Sequence, residues 1–276
     1  MSTHTRTIHK VLCGLVLSAS ISIFSALSPA QDNPRPTLTG KLYVAEMEGT
    51  ASIKNRDKIE PLAKKTSHDA EGSSLVTKPD SLTALVLSNG VGLALDASTE
   101  LEVRRFVQEP FAPNRTDLEA EPSVSHTSLF VSQGTVSLYT GTLTAGSTFN
   151  INSRHGSVTI RGKEVVVEVT DDQMIISLLV GDVTVSGDSK IAGQSLLPGQ
   201  QAVITRDPAG GPSKVVIRDI PVEKVKTLEQ KVDLAEMARK TVLFDVTTGK
   251  GDVITPVEVL PGTLSSPVTV SPFKLP

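Results

Sequence analysis

The side chains that could do chemistry are few and scattered in this sequence. Beyond the first thirty residues the histidines are His68, His126 and His155, and each stands alone in a polar stretch. The sequence contains no Gly-x-Ser-x-Gly, phosphate-loop, Gly-x-Gly-x-x-Gly or His-Glu-x-x-His motif. Because no nucleophile with a neighbouring base can be named, we expect a protein that is not an enzyme and binds no cofactor.

Acidic residues recur at the predicted turns and offer one metal hypothesis. If the strands bring these residues to the same end of a sheet, their carboxylate oxygens could bind calcium. Acidic residues are also ordinary turn formers that need no metal. The residues concerned are Asp171, Asp172, Asp182 and Asp188.

Arg161, directly before Gly162, has the side chain best suited to a functional contact. A guanidinium can bind a backbone carbonyl or the carboxylate of a partner. The same side chain could instead brace its own turn within the domain. The sequence leaves both roles open.

The composition of the chain argues against several classes of protein. The 276 residues include 27 Lys and Arg against 30 Asp and Glu, so the net charge of −3 provides no basic field for nucleic acid. Aromatic residues make up 3% and tryptophan is absent, which leaves few stacking platforms for sugars or bases. The one cysteine, Cys13, lies in the predicted leader, so we expect no disulfide in the mature chain.

Residues 1–30 predict a cleaved export signal. A cationic start precedes an apolar run over residues 11–26, and a small-residue cleavage site ends at Ala30. The apolar run is shorter than the roughly twenty residues that a membrane-spanning helix needs. We therefore expect the mature chain to begin at Gln31, to be periplasmic or extracellular, and to keep no stable membrane span.

Short apolar runs separated by turns predict an all-β domain after the leader. Residues 42–53 fit an opening hairpin, and residues 81–95 fit a second hairpin around Asn89-Gly90. Residues 101–106 follow as a third strand, whose alternation places Phe106 on the polar face.

The strand pattern is interrupted once and then continues. Residues 108–126 contain three prolines among charged residues and predict a long excursion at one edge of the sheet. Strand patterning returns over residues 129–204. Within it, the nearly continuous apolar run 174–180 is the best candidate for the central strand of the core.

A weak internal repeat accompanies these strands. In each copy a leucine precedes a turn residue by three positions, and an aliphatic residue follows the turn by five. The turn residues Ser98, Gly146 and Gly199 are 48 and 53 residues apart, a spacing found in stacked structural units. Any all-β chain can produce such signals, so two architectures of antiparallel strands remain open: a twisted β-sandwich or a short β-solenoid.

Residues 219–246 predict one C-terminal α-helix followed by a strand. Pro221 suits the first turn of a helix, and apolar residues then recur at helical spacing from Val225 to Ala235. This short pattern favours a helix docked on the domain over a coiled coil. Five prolines predict that residues 255–276 form a tail without regular structure.

The turn motifs between residues 149 and 205 resemble the FecR-type domain. That family has a strand ending in Thr-Pro-x-Gly, an Arg-Gly-Thr turn, a Glu-Gly-x-Val turn and a Leu-x-Pro-Gly-Gln close, and related motifs occur here in the same order. The resemblance extends upstream to cover roughly residues 40–206. The matching turn positions are Gly156, Arg161, Gly162, Gly181, Pro198 and Gly199.

The chain departs from the family pattern in two ways. Residues 153–155 read Ser-Arg-His where the family has Thr-Pro, and Lys163 replaces the threonine of the Arg-Gly-Thr turn. Family members that relay an iron-siderophore signal resemble membrane-spanning anti-sigma regulators, whereas this chain has a predicted cleavable leader in place of the span. The resemblance therefore implies a periplasmic or surface-exposed β module for protein contact, without the relay.

Two function hypotheses follow from the sequence. The favoured one is a non-enzymatic module that acts in protein–protein contact or scaffolding in the bacterial envelope, through an edge or face of a sheet. Its partner would be an unidentified envelope protein and not a nucleic acid. The alternative is an envelope protein that binds a ligand or polysaccharide, with residues 108–126 as a lid.

Overall fold

A computed structural model describes residues 37–112, 119–187, 193–207, 209, 211–247 and 253–259. The predicted export signal over residues 1–30, and the part of the predicted tail beyond residue 259, lie outside these ranges. So does the middle of the excursion predicted over residues 108–126.

The first half of the described chain consists of short strands joined by tight turns. Their bounds are β1 (Leu38–Thr39), β2 (Lys41–Glu48), β3 (Ala51–Asn55), β4 (Lys58–Pro61), β5 (Ser67–Asp69), β6 (Ser73–Thr77), β7 (Leu82–Leu87), β8 (Gly92–Leu95) and β9 (Glu100–Gln108). Strands β3, β6 and β9 largely alternate buried and more exposed side chains, as expected for strands with one face on a core, whereas nearly every residue of β7 and β8 is buried.

The second half contains longer strands, one helix among the described residues, and a closing strand pair. The elements are β10 (Ser125–Tyr139), β11 (Thr148–Asn152), β12 (Ser157–Ile160), β13 (Glu164–Val169), β14 (Gln173–Val180), β15 (Val183–Ser186), β16 (Gln194–Leu196), β17 (Gln200–Thr205), β18 (Lys214–Asp219), α1 (Val222–Arg239), β19 (Val242–Thr247) and β20 (Val253–Glu258). The strand predicted over residues 174–180 is present as β14 and is flanked by β13 and β17, but the centre of its sheet is β10.

Two open sheets enclose the main core. Sheet A has the order β4-β3-β6-β9-β10-β11-β12-β15-β16, with β1 beside the end of β9. Sheet B has the order β5-β2-β7-β8-β10-β13-β14-β17-β18. Every pair is antiparallel except β10 with β11, and the sheets do not close into a barrel. The predicted all-β class with a single C-terminal helix is confirmed.

Successive strands move between the two sheets more often than the sequence suggests. The predicted opening hairpin is wrong: β2 pairs in sheet B and β3 pairs in sheet A, because the chain crosses between the sheets at Gly49. The second predicted hairpin, β7 with β8 around Asn89-Gly90, is present. Alternating apolar residues show that one face of a strand is buried, but they do not indicate which sheet the strand joins.

One strand, β10, belongs to both sheets. Residues 125–133 pair with β9 in sheet A, and residues 134–139 pair with β13 in sheet B. The change of sheet takes place at Gly134, whose φ of +94° lies in the left-handed region. A Cβ atom at this position would lie 2.4 Å from Oγ1 of Thr99, so the bend leaves no room for a side chain.

The predicted face of Phe106 is wrong because β9 contains a bulge. Arg105 pairs with Ser128 and Val103 pairs with Leu129, so Arg104 is an extra residue on β9. The extra residue reverses the alternation and turns Phe106 into the core, where it is fully buried.

The excursion connects two central strands of sheet A and not edge strands as expected. It joins β9 to β10, which are neighbours in the middle of the strand order. Prolines and charges mark a break in strand pairing, but they carry no information about the position of the flanking strands within a sheet.

Helix α1 docks on the outer face of sheet B; the sequence predicts a docked helix but not the face that receives it. Leu228, Val232 and Ala235 are buried against sheet residues that include Ala94. Gly92 permits the close approach, since a Cβ atom there would lie 2.0 Å from the carbonyl oxygen of Ala235. Among the described residues, no helix is long and apolar enough to span a membrane.

Strands β19 and β20 form a separate two-stranded ribbon, which corrects the expectation that regular structure ends at Thr255. Pro256 lies within β20, and a two-stranded ribbon has only edge strands, where proline is tolerated. The hydroxyl of Tyr43 donates to Oε1 of Glu258 at 2.8 Å and ties the ribbon to sheet B. Burial and this bond raise the pKa of Tyr43 to about 12.

The bend at Gly134 yields a stability prediction. Gly134→Ala should lower the free energy of unfolding by about 2–5 kcal/mol, the sum of the left-handed backbone penalty and the contact with Thr99. Gly72→Ala is the matched control, because Gly72 has a φ of +76° but no atom within 4 Å of its Cβ position. The control should lose only about 1–2 kcal/mol in urea unfolding. Equal losses in the two variants would show that the contact with Thr99 is unimportant.

Candidate functional site

Five of the six predicted turn positions lie together where the chain crosses between the sheets. We call the three connections 161–163, 181–182 and 197–199 the crossover rim. The N–H of Arg161 donates to the carbonyl of Asp182 at 3.0 Å, and the N–H of Lys163 donates to Val180 at 3.0 Å. The rim is therefore held by backbone bonds between connections that are far apart in sequence.

The backbones of Gly162 and Gly181 touch within this rim. A Cβ atom on Gly181 would lie 2.3 Å from the Cα of Gly162, and one on Gly162 would lie 2.6 Å from the amide nitrogen of Asp182. These two positions are therefore restricted to glycine by packing between two connections.

Pro198-Gly199 closes the third connection and links it to the end of sheet B. The N–H of Gly199 donates to Leu178 at 2.8 Å, and its carbonyl accepts from the N–H of Ile220 at 2.8 Å. This turn thus joins β14, the start of β17 and the residue that follows β18. Gly156, the sixth predicted position, lies apart from the rim in the turn between β11 and β12.

The side chain of Arg161 is exposed and forms no hydrogen bond or ion pair with the described residues. Only its backbone N–H braces the turn. The guanidinium is thus available to solvent.

The calcium hypothesis is wrong for the three aspartates that are described. Asp171 and Asp172 lie in the turn that precedes β14, whereas Asp182 follows the other end of that strand. Asp171 forms an ion pair with Arg154 at 3.1 Å. Asp188 lies outside the described residues, and within these ranges no three His, Cys, Asp or Glu residues form a group that could hold a metal ion.

His155 is buried although it stands in a polar stretch of the sequence. It is only 3% exposed, and its Nε2 donates to the carbonyl of Thr170 at 2.9 Å while Nδ1 is buried without a partner. His68 is half-buried, and burial lowers its pKa. His126 lies 3.0 Å from the hydroxyl of Thr148 through Nδ1. The three histidines serve separate local contacts.

A buried carboxylate that the sequence did not single out fixes the end of the excursion. Glu121 is 7% exposed and accepts hydrogen bonds from Ser125 at 2.5 Å and from Ser147 at 2.6 Å. It also accepts from the N–H of Thr144 at 2.8 Å. Asn89 extends this network by donating to Ser125 at 3.0 Å.

The Glu121 network ties three segments of the chain together: the excursion, the β7–β8 turn and the β10–β11 loop. Burial raises the pKa of Glu121 despite the hydrogen bonds that lower it. Because this carboxylate holds the described end of the excursion in place, that part of residues 108–126 is poorly suited to open as a lid.

A second polar cluster connects the excursion to the end of α1. Arg239 donates from Nε to the carbonyl of Gly90 at 3.1 Å and from Nη1 to Glu119 at 3.1 Å. Its guanidinium lies over the ring of Tyr139, and Lys163 of the crossover rim pairs with Glu119 at 2.9 Å. Burial raises the pKa of Glu119, but Lys163 and Arg239 outweigh it and lower the pKa overall.

The outermost strands of the two sheets differ in length and accessibility. Strand β4 has four residues and ends in Pro61, and β5 and β16 have three residues each. Strand β18 has six residues, and no described strand pairs with its outer side. It is therefore the longest free edge of sheets A and B in the described part of the chain.

The pairing of β17 with β18 identifies which backbone groups face outward. Ile220 donates to Gly199, and hydrogen-bonded pairs alternate along an antiparallel ladder. Lys214, Val216 and Arg218 therefore direct their N–H and C=O groups toward β17. The outward groups belong to Val215, Ile217 and Asp219.

The sequence pattern does not predict β18, because the predicted strands end at residue 204. The signal that could have found it is the run Val215-Val216-Ile217 of β-branched residues, flanked by charged side chains. A short run of this kind between two prolines resembles a linker until its pairing is known.

Comparison with known proteins finds one family model that matches part of the chain. Residues 73–184 match the model of the family described as FecR protein, which confirms the resemblance for this segment. No curated protein gives a match to the chain.

Among solved structures, two crystal structures of a "putative anti-sigma factor" from Parabacteroides distasonis ATCC 8503 are similar. Both are 18% identical, with alignments that cover 57% of this chain and 64% of that protein's chain and with TM-scores of 0.41 and 0.40. This chain thus covers just under two thirds of the length of those structures.

The buried Glu121 predicts a dependence of stability on pH. A folded-state pKa above the usual 4.5 means that the folded protein holds this proton more tightly than the unfolded chain does. Stability relative to Glu121→Gln, which mimics the protonated form, should be greatest below pH 4.5 and should fall as the pH rises through the raised pKa. Urea unfolding of both proteins between pH 4 and 7 measures the difference.

Glu71→Gln is the control for this experiment, since Glu71 is exposed and lies in a tight turn. Its stability relative to the wild type should not change over the same pH range. The raised pKa of Glu121 would be contradicted if the free energy of unfolding of the wild type, relative to that of Glu121→Gln, stayed constant or grew with pH.

Proposed function

We propose that this protein is an exported, non-enzymatic binding module of the bacterial envelope that captures an extended segment of a partner protein along β18. The observation that carries the proposal is the free edge of sheet B. An edge strand offers unpaired N–H and C=O groups that a partner strand can bind without any special side chains.

The contacts around β18 support a preformed binding edge. Its inner side chains, Val215 and Ile217, pack on the core, and six consecutive residues pair with β17. Gly199 anchors the end of the strand through Ile220. A partner strand would thus pair with a strand that is already held in place, so binding would not require β18 to become ordered first.

The export part of the proposal rests on residues 1–30, with their cationic start, apolar run and small-residue cleavage site. The FecR match over residues 73–184 supports a role in protein contact, since the resemblance implies such a module.

We favour strand capture over a ligand- or polysaccharide-binding role for two physical reasons. The described end of the excursion is fixed by the buried Glu121, which limits movement as a lid. Aromatic residues make up only 3% of the chain, so few rings are available to stack on sugars.

Strand capture predicts a specific effect of removing one outward N–H group. Asp219→Pro should abolish retention of the partner from an envelope extract by the mature chain, because proline lacks the N–H and its ring blocks the edge. Since this N–H does not bond β17, the free energy of unfolding should change by less than about 1 kcal/mol. Pull-down and urea unfolding of the same preparations measure both effects.

Asp219→Ala is the matched control for the loss of the side chain, and it should retain the partner. Equal retention by Asp219→Pro would refute capture at this edge. Binding of the mature chain to purified peptidoglycan or glycan, with no protein retained, would favour the alternative function.

The export signal predicts processing at Gln31. Mass spectrometry of the protein recovered from the periplasm or the medium should find a chain that begins at this residue. Replacing an apolar residue of the 11–26 run by aspartate should leave the precursor in the cytoplasm, because the apolar run is what the export machinery recognises. Recovery of the unprocessed wild-type chain in the membrane fraction would overturn the proposed export.

A further inference from the structure

Strand β18 carries two cations on one face of its free edge. Lys214, Val216 and Arg218 share the outer face of sheet B, and all three are exposed. Lys214 and Arg218 are four positions apart in sequence, which places them about 13 Å apart along an extended strand. Neither side chain forms an ion pair with any described residue, so both charges are available to a partner.

The guanidinium of Arg218 is oriented by the neighbouring strand. In the amide orientation that gives both of its polar groups a partner, Gln201 on β17 accepts from Nε of Arg218 at 2.8 Å and from Nη2 at 3.2 Å. A guanidinium has five N–H donors, so three remain for a carboxylate. Arg218 is thus held on the outer face beside the free edge.

The other face of β18 continues the apolar core. Val215 and Ile217 are half-buried and pack against the core between the sheets. A partner strand that added to β18 would place alternate side chains next to these two residues and could cover their remaining apolar surface. Those positions of the partner are best filled by β-branched residues.

The two cations disfavour a second copy of this chain as the occupant. If two β18 strands paired antiparallel about Val216, Lys214 of each copy would lie opposite Arg218 of the other. Like charges directly opposite each other destabilise a sheet, and charges on an edge strand keep identical copies apart. Opposite charges at the same positions would stabilise it.

We infer that the segment captured by β18 is an acidic β-strand of a different protein. It has two carboxylates four residues apart, opposite Arg218 and Lys214, and β-branched residues at the two positions that face Ile217 and Val215. This inference rests on the proposed strand capture and adds the chemistry of the partner.

Two synthetic nine-residue peptides test the inference on the mature chain. One contains the pentad Glu-Val-Thr-Val-Glu and the other Lys-Val-Thr-Val-Lys, each flanked by serines. Amide NMR titration reports binding and its location through the N–H groups of Val215, Ile217 and Asp219. The acidic peptide should bind about tenfold more tightly than the basic one, since two favourable cross-strand pairs replace two repulsive ones.

Charge reversal at the edge provides the matched control. The double variant Lys214→Glu with Arg218→Glu should invert the preference between the two peptides. Arg161→Glu changes an exposed cation of the crossover rim and should leave the preference unchanged. The same inversion with Arg161→Glu would show that net charge, and not the edge, selects the peptide.

The outcomes separate this inference from the proposed function. Equal shifts of the β18 amides by both peptides would overturn the acidic preference and leave strand capture intact. Absence of shifts at β18 with either peptide, together with full retention of the partner by Asp219→Pro, would overturn both.

Discussion

The shared strand β10 is the constraint on which the rest of the fold depends. A single continuous strand pairs with β9 in one sheet and with β13 in the other, so both sheets take their register from it. The transfer needs a sharp change of direction, and Gly134 supplies it where Thr99 packs against the backbone. Because the two halves meet on one strand, the core between the sheets is continuous without closure into a barrel.

Buried polar groups fix the loops that connect the strands of the two sheets. Glu121 binds three donors from the segments around the excursion, and Arg239 joins α1 to Gly90 and Glu119. A polar group that is buried without hydrogen-bond partners costs free energy. The loops must therefore take positions in which each buried group keeps its partners. The apolar core determines how the sheets face each other, and these polar contacts determine where the loops lie.

The free edge of β18 is the feature of this fold that suggests a binding function. Most outermost strands here are short, which limits pairing with other chains, whereas β18 is longer and carries cations on its outer face. Charges of one sign repel a second copy and attract a segment of opposite charge. In the proposed strand capture, the same side chains would provide selectivity and the backbone would provide most of the affinity.

The sequence by itself determined the local structure, because the spacing of apolar residues shows whether a segment buries one face as a strand or as a helix. It predicted β14, the helix after Pro221 and the glycine turns of the crossover rim. Only the tertiary structure decided which strands became neighbours, since pairing joins residues that are distant in sequence. That pairing buried His155 and Glu121, made the strands on both sides of the excursion central in sheet A, separated Asp171 from Asp182, and left β18 with an open edge.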